Sequence, residues 1–212
     1  MALYRQKFFN RKSPRWQGYD YSSAGYYFVT VVTKNRERLF GKISDSKMVL
    51  NDLGKIVEEE WLRSFEIRKE LSCAEYIIMP NHIHAIITHV GTSGGRPIIE
   101  IPNDNEIPND NEKQNVKGIE DVIYRIQDVR RASLRGGNNK NYLPKSISSF
   151  FAGFKSVVTK RINEIQRTSG LTVWQSRYHD HIIRDEKEFY YIKTYIQKNP
   201  KNWENDLERL IP

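Results

Sequence analysis

The spacing of hydrophobic positions along the chain predicts a mixture of strands and helices. Short runs rich in β-branched and aromatic residues are typical of strands, whereas apolar residues three or four apart are typical of amphipathic helices. These criteria predict strands over residues 25–33, 73–79, 82–90 and 173–184, and helices over residues 52–69, 146–167 and 186–199. The order of strand, helix, hairpin, helix and strand is ferredoxin-like, with one further helix appended. We therefore expect an α+β fold: an antiparallel sheet with helices on one face, plus a C-terminal helix that carries Tyr195.

The stretch from about residue 91 to residue 142 lacks this patterning. It contains the hexapeptide Glu-Ile-Pro-Asn-Asp-Asn twice in tandem, at residues 100–105 and 106–111. Two copies are too few for a solenoid, and a polar, proline-bearing segment can bury little apolar surface. A loop of this length in a compact domain is usually functional or disordered. We expect a single domain over residues 1–212 that is interrupted by this low-complexity insert.

Two histidines flank one apolar residue in the predicted hairpin, within the motif Pro-Asn-His-Ile-His at residues 80–84. On a strand, residues two apart point to the same face, so His82 and His84 present their imidazoles side by side while Ile83 points into a core. Two neutral imidazoles form half of a site for a divalent metal ion. The alternative interpretation is a pair of histidines on a solvated sheet face.

A second pair with the same spacing, His179 and His181, flanks Asp180 on another predicted strand. The polar residue at its centre suits an edge strand better than a core strand. These histidines could orient a substrate, assist a nucleophile or lie on a wet surface.

The last predicted helix ends in a turn that carries two chemically useful groups. Asp185, followed three residues later by Glu188, is typical of a capping box at a helix start. Pro200 disfavours helical geometry at the residue before it, so the helix should end at Asn199. Tyr195 lies four residues before Asn199, on the same helix face. A tyrosine hydroxyl can act as a nucleophile and an asparagine oxygen can ligate a metal, although an ordinary amphipathic helix would contain the same residues.

Composition and charge narrow the class of partner. The 212 residues carry a net charge of +8, with a pI of about 9.4, which favours a polyanionic partner because phosphate neutralisation releases counterions. No apolar run approaches the roughly 20 residues that span a bilayer, and the N-terminus lacks the apolar core of a signal peptide. The single cysteine, Cys73, excludes an internal disulfide and fits a reducing compartment. We therefore expect a cytoplasmic protein.

Taken together, these motifs resemble the single-tyrosine HUH transposases, and most closely the REP-associated tyrosine transposase type. The resemblance rests on a His-apolar-His strand at residues 82–84 and a downstream helix with Tyr-Ile-x-x-Asn-Pro at residues 195–200. The resemblance extends over most of the chain outside the insert, and the order and spacing of the matching segments are together fairly specific. These segments are Tyr27–Arg36 with Leu39 and Phe40, Met79–His84, Phe150–Ser156, Trp174 with Gln175, and Tyr178–Arg184.

The resemblance implies a ferredoxin-like fold and an enzyme that cleaves and rejoins single-stranded or hairpin DNA through a covalent phosphotyrosine. It implies that Tyr195 is the catalytic nucleophile. It also implies a bound Mg²⁺ or Mn²⁺ ion, with His82, His84 and Asn199 as its ligands. Finally, it implies a homodimer that is associated with DNA in the bacterial cytoplasm.

The residues leave two other functions open. A domesticated nucleic-acid-binding module could have kept the fold and lost the chemistry, and an unrelated metal-dependent hydrolase could use the two His-x-His pairs. Tyr191, one turn before Tyr195, would be a second nucleophile in a paired-tyrosine enzyme, but the position of the Asn-Pro motif favours Tyr195. For DNA contacts we expect three arginines and one histidine: Arg15, Arg177, His181 and Arg184.

Deletion of residues 106–111, one copy of the repeat, is expected to leave the thermal midpoint nearly unchanged, because the insert offers little apolar surface for burial. Differential scanning calorimetry of the shortened and full-length chains measures the difference. A midpoint several degrees lower in the shortened chain would show that the repeat packs on the core.

Overall fold

A computed structural model describes residues 23–90 and 145–203 of the chain. In chain order its elements are β1 (Gly25–Val32), β2 (Gly41–Ser44), β3 (Lys47–Leu50), α1 (Asp52–Ile67), β4 (Leu71–Met79), β5 (His82–His89), α2 (Ile147–Ile165), β6 (His179–Ile183) and α3 (Glu186–Lys198), with a short 3-10 turn at Lys34–Arg36. The predicted insert and Arg15 lie outside the described residues.

The central sheet has the strand order β4–β5–β1–β6, and every neighbouring pair is antiparallel. With α1 between β1 and β4, and α2 between β5 and β6, this is the ferredoxin-like arrangement. The predicted α+β fold with an antiparallel sheet is therefore confirmed. In the described ranges, no helix is both long enough and apolar enough to cross a membrane.

The observed elements differ from the predicted ones in two places. The strand predicted over residues 173–184 is confined to β6, and its first part contributes only an isolated bridge between Trp174 and Thr33. The ammonium group of Lys155 donates hydrogen bonds to the carbonyl oxygens of Gln175 and Ser176. These two carbonyls therefore bind a side chain instead of a neighbouring strand.

The second difference is the β2–β3 hairpin, which the hydrophobic pattern does not predict. Each of its strands has only 4 residues, which is too short for a clear alternation. Its turn residues Asp45 and Ser46 both adopt positive φ, at 52° and 58°. Two-residue hairpin turns with this geometry usually contain glycine or asparagine, and neither residue is present at positions 45 and 46.

The side chains of the central strands alternate between two covered faces. Tyr27 and Val29 of β1 pack in the cluster formed with α1 and α2, whereas Tyr26 and Phe28 pack against α3. In β5 the same division places Ile83 on the first face. Because helices cover both faces, β1 is buried along almost its whole length, and polar side chains in these strands need partners inside the protein.

Aromatic side chains dominate the larger of the two cores. Trp61 of α1 is fully buried. Its ring centroid lies 5.2 to 6.2 Å from those of four phenylalanines: Phe65, Phe150, Phe151 and Phe154. Aromatic pairs at such distances add stabilisation beyond their large buried area, so this cluster fixes α1 and α2 against the sheet.

Helix α3 covers the opposite face through a smaller apolar stripe of Phe189, Ile192 and Ile196. The predicted cap at Asp185 begins the helix, because its side chain accepts a hydrogen bond of 2.8 Å from the backbone N–H of Glu188. The Glu188 carboxylate accepts from the backbone N–H of Arg184, one residue before the N–H that a full capping box would use. The cap and the stripe fix the rotation of the helix about its axis. Its C-terminal half therefore passes over the start of β5.

Gly54→Ala is expected to reduce the free energy of unfolding by about 1–3 kcal/mol, a typical cost of overpacking. A Cβ atom at this position of α1 would lie 2.1 Å from the carbonyl oxygen of Phe40 and 2.9 Å from a methyl carbon of Leu50. Urea denaturation of the variant and the wild type measures the difference.

Gly153→Ala in α2 is the matched control, because its added Cβ would have no heavy atom within 4 Å apart from the neighbouring residues and backbone of its own helix. Replacing a mid-helix glycine by alanine should stabilise the protein by about 0.5–1 kcal/mol. Equal effects of the two substitutions would contradict the close packing of α1 on the segment that contains Phe40.

Candidate active site

His82 and His84 lie side by side on the face of the sheet that α3 covers. Both are 0% exposed, and their ring centroids are 4.3 Å apart. The register between β5 and β1 places His82 opposite Val32 and His84 opposite Thr30. The strand spacing thus predicts the shared face correctly, and the alternative of a solvated sheet face is wrong.

Each imidazole is held through its Nδ1 atom. His82 Nδ1 lies 2.8 Å from Oδ1 of Asn81, and His84 Nδ1 lies 2.8 Å from Oγ1 of Thr30. Asn81 and Thr30 are themselves completely buried. Hydrogen bonds of this kind set the orientation of an imidazole, so the Nε2 atom of each ring is directed away from these partners.

Tyr195 of α3 reaches this pair of histidines. Its hydroxyl oxygen lies 3.2 Å from Nε2 of His84, and the two ring centroids are 5.2 Å apart. The tyrosine ring also packs edge-on against Phe28, at a centroid distance of 6.2 Å. The structure therefore brings together two residues far apart in the chain, the expected nucleophile and one of the expected metal ligands.

The chain that leaves α3 continues across the histidines. Trp203 stacks on His82 with a centroid distance of 6.2 Å, so the segment from Tyr195 to Trp203 runs from one histidine to the other. Asn199 lies midway along it, one helical turn after Tyr195 and on the same helix face. Its side chain is 1% exposed, and its Oδ1 atom has no hydrogen-bond partner among the described residues.

Carboxylates and thiolates do not complete a metal centre. Within residues 23–90 and 145–203, no group of three or more His, Cys, Asp or Glu side chains is arranged to hold a metal ion. Burial raises the pKa of Cys73 to about 12, so its thiol stays protonated at neutral pH. Among the described residues, the buried amide oxygen of Asn199 is a candidate third ligand of another type.

The second histidine pair, His179 and His181, lies on the same face of the sheet, but its two members have different surroundings. His179 is opposite Thr30 in the pairing of β6 with β1. Thr30 therefore separates His179 from His84, its other cross-strand neighbour. His179 is largely buried, with 9% exposure, so the wet-surface interpretation does not apply to it.

His181 is paired with a carboxylate at the start of α3. Its Nε2 atom lies 2.7 Å from Oε1 of Glu188, and Oε2 of Glu188 accepts a hydrogen bond of 2.8 Å from the backbone N–H of Arg184. Burial acts to raise the pKa of Glu188, but these hydrogen bonds outweigh it and hold the pKa below its usual value. A DNA contact by His181 stays a prediction, and it would have to compete with this hydrogen bond to Glu188.

The other expected DNA contacts differ in their accessibility. Arg177 is half-buried in the segment before β6, whereas Arg184 is exposed at the start of α3. A further cation, Arg38, has its guanidinium carbon 5.7 Å from the ring centroid of Trp203. This arginine places positive charge beside the His82 end of the site.

Sequence reasoning missed four residues of this region: Thr30, Arg38, Asn81 and Trp203. Thr30 lies on a correctly predicted strand, but its role depends on the register between β1 and β5, which no local pattern reveals. Asn81 stands beside His82 in the quoted motif and could have been identified as a ring partner from that adjacency. The contacts of Trp203 depend on where the chain goes after α3.

Two solved structures match the chain at low levels of similarity. A REP-associated tyrosine transposase bound to a REP hairpin shares 14% identity over 84% of this chain and 68% of that chain, with a TM-score of 0.44. A proposed transposase from Deinococcus radiodurans shares 11% identity over 86% of this chain and 95% of that chain, with a TM-score of 0.33.

Sequence comparison identifies a much nearer relative. No family model matches the chain. An uncharacterized protein of Haemophilus influenzae is 35% identical over 197 residues, which make up 93% of this chain and 92% of the relative. At that identity over nearly the full length of both chains, the protein belongs to the same family as this Haemophilus influenzae protein.

Proposed function

We propose that this protein cleaves and rejoins single-stranded DNA, with Tyr195 as the nucleophile and a divalent cation held by His82, His84 and Asn199. The observation that carries the proposal is the 3.2 Å contact between the Tyr195 hydroxyl and Nε2 of His84, within a pair of buried histidines. A nucleophile is usually activated by an adjacent base or metal, and this contact supplies the adjacent group. The motif resemblance to the single-tyrosine HUH transposases supports the same activity.

The donor set fits a divalent cation such as Mn²⁺ or Mg²⁺. Two imidazoles and an amide oxygen suit Mn²⁺ better than Mg²⁺, which prefers oxygen ligands. The Oδ1 atom of Asn199 is a buried acceptor without a hydrogen-bond partner in the described part of the chain, and such an atom costs about 1–3 kcal/mol. Ligation would remove that cost. When bound, the cation would polarise a phosphate oxygen and orient the phosphodiester.

The proposed reaction exchanges one phosphate ester for another. The Tyr195 oxygen attacks phosphorus, a bond forms between them, and the bond from phosphorus to the 3′ oxygen of the preceding nucleotide breaks. The tyrosine gives up its proton and the departing 3′ oxygen gains one. Because the phosphotyrosine retains the energy of the broken ester, a 3′-hydroxyl can reverse the step and rejoin a strand without a nucleotide cofactor.

The contact between the proposed nucleophile and a proposed metal ligand lies within one chain. Tyr195 reaches His84 of its own chain, so a homodimer, if formed, is not needed to bring the nucleophile to the histidines. The net charge of +8 supports a phosphate-rich partner, and single-stranded or hairpin DNA is the partner we propose. The pairing of His181 with Glu188 argues against a hydrolase that uses both histidine pairs as metal ligands.

Tyr195→Phe is expected to abolish the covalent adduct with single-stranded DNA while DNA binding persists. The substitution removes one oxygen and keeps the ring that packs against Phe28, and DNA binding rests mainly on phosphate contacts and base stacking. The adduct is measured by denaturing gel electrophoresis after incubation with Mn²⁺ and DNA from the sequence flanking the gene. Tyr191→Phe, one turn earlier on the same helix, is the matched control and should retain the adduct.

Removal of the cation tests the second half of the same proposal. His82→Ala, or a chelator added to the wild type, should abolish the adduct as completely as Tyr195→Phe does. If the adduct forms in Tyr195→Phe but not in Tyr191→Phe, the nucleophile is Tyr191. A wild-type protein that binds hairpin DNA but forms no adduct with either Mg²⁺ or Mn²⁺ would be a binding module.

Tyr195→Phe is also expected to bind Mn²⁺ about 2- to 10-fold more tightly than the wild type. The Nε2 atom of His84 can hydrogen-bond the tyrosine hydroxyl or ligate a cation, but it cannot do both. A hydrogen bond of about 0.5–1.5 kcal/mol therefore competes with the metal. Isothermal titration calorimetry measures the affinity, with Tyr191→Phe as a control that should match the wild type. Equal or weaker binding by Tyr195→Phe would show that the hydroxyl does not compete.

A further inference from the structure

We infer that Asn81 is a positioning residue that fixes the tautomer of His82, so that Nε2 carries the lone pair when the ring is neutral. Asn81 is 0% exposed and lies in the two-residue turn between β4 and β5. The role of this tautomer in metal binding rests on the proposed function. The assignment of the tautomer itself does not depend on that function.

The orientation of the Asn81 amide follows from its two partners. One end of the amide lies 3.1 Å from the backbone carbonyl oxygen of Arg36, and the other lies 2.8 Å from Nδ1 of His82. A carbonyl oxygen can only accept a hydrogen bond. The end that faces Arg36 must therefore be the NH₂ group, and the end that faces His82 must be the oxygen.

The tautomer of His82 follows from that orientation. The Oδ1 atom of an asparagine can only accept, so the Nδ1 atom of His82 must carry the hydrogen in their 2.8 Å contact. A neutral imidazole has one protonated nitrogen, which leaves the lone pair on Nε2. Metal-binding histidines commonly donate their other ring N–H to a neighbouring acceptor in this way.

The backbone conformation around Arg36 directs the carbonyl oxygen of Arg36 toward the Asn81 amide. Asn35 and Arg36 have φ values of 55° and 54°, in the left-handed region that residues other than glycine seldom occupy. The segment is tied in place because Thr33 N–H donates to the Asn81 carbonyl at 2.8 Å and Thr33 Oγ1 donates to the Glu37 carbonyl at 2.8 Å. The uncommon conformation thus has a specific result, which is a fixed acceptor for the Asn81 amide.

The direct test is the tautomer of His82 in the metal-free protein at a pH where the ring is neutral. Two-bond ¹H–¹⁵N correlation spectra distinguish a protonated Nδ1 from a protonated Nε2, and His82→Gln identifies the signals. The inference requires protonated Nδ1 in the wild type. Protonated Nε2 at His82 would overturn it, whatever the metal affinity turns out to be.

Substitutions at Asn81 test the cause. Asn81→Asp keeps an acceptor oxygen toward His82, but it replaces the NH₂ group that faces the Arg36 carbonyl with a second acceptor. It should keep Nδ1 protonated, whereas Asn81→Ala should shift the ring toward protonated Nε2. Mn²⁺ affinity, measured by calorimetry, should fall about 10- to 100-fold in Asn81→Ala, as is typical when the partner of a ligating histidine is lost, and should be retained in Asn81→Asp. Thr30→Val is the control for site specificity, because it removes the partner of His84 and should leave Nδ1 of His82 protonated.

The outcomes separate this inference from the proposed function. A wild-type protein with protonated Nδ1 that binds no Mn²⁺ would retain the positioning role and overturn the metal site. If Asn81→Ala keeps protonated Nδ1 at His82, Asn81 is not what fixes the tautomer. If Asn81→Ala does not fold, the wild type and Asn81→Asp still decide, because both must show protonated Nδ1 for the inference to stand.

Discussion

The alternation of side chains along β5 governs both the main core and the candidate site. Ile83, Ala85 and Ile87 enter the core with α1 and α2, while His82 and His84 turn to the face beneath α3. A slip of one residue against β1 would exchange these faces and bury the histidines among the aromatic side chains of α1 and α2. The pairing of β5 with β1 on one side and β4 on the other is therefore the constraint from which the rest follows.

That constraint makes the site a group of polar atoms inside an otherwise apolar sandwich. Burying polar groups is costly unless each finds a partner, and the described partners of the histidines come from three different parts of the chain. Thr30 is on β1, Asn81 is in the turn between β4 and β5, and Tyr195 is on α3. The site can thus exist only in the folded chain, and its geometry depends on the sheet and on α3 together.

Local signals in the sequence predict most of the fold and part of the site. The shared face of His82 and His84 follows from strand periodicity, and the start of α3 follows from the capping box at Asp185. The β2–β3 hairpin was missed because its turn residues lack the usual signature, and the strand before β6 was overextended because Lys155 binds two of its carbonyls. Thr30 could not be identified because its partner depends on the register between β1 and β5. Alternation fixes which face each side chain occupies, but a slip of two residues would keep the same faces and change the partners.

The separation of the two apolar clusters has a consequence for access. Helix α3 meets the sheet through its own small cluster, distinct from the larger one that holds α1 and α2. Proteins open in cooperative units whose cost depends on local packing, so a separate opening of α3 would expose this face of the sheet while the larger core stays intact. Under the proposed function, DNA reaches the buried histidines only in that open population. Its apparent affinity is then the intrinsic affinity reduced by the open fraction, and Ile192, which is buried beneath the helix, would influence DNA binding without touching the DNA.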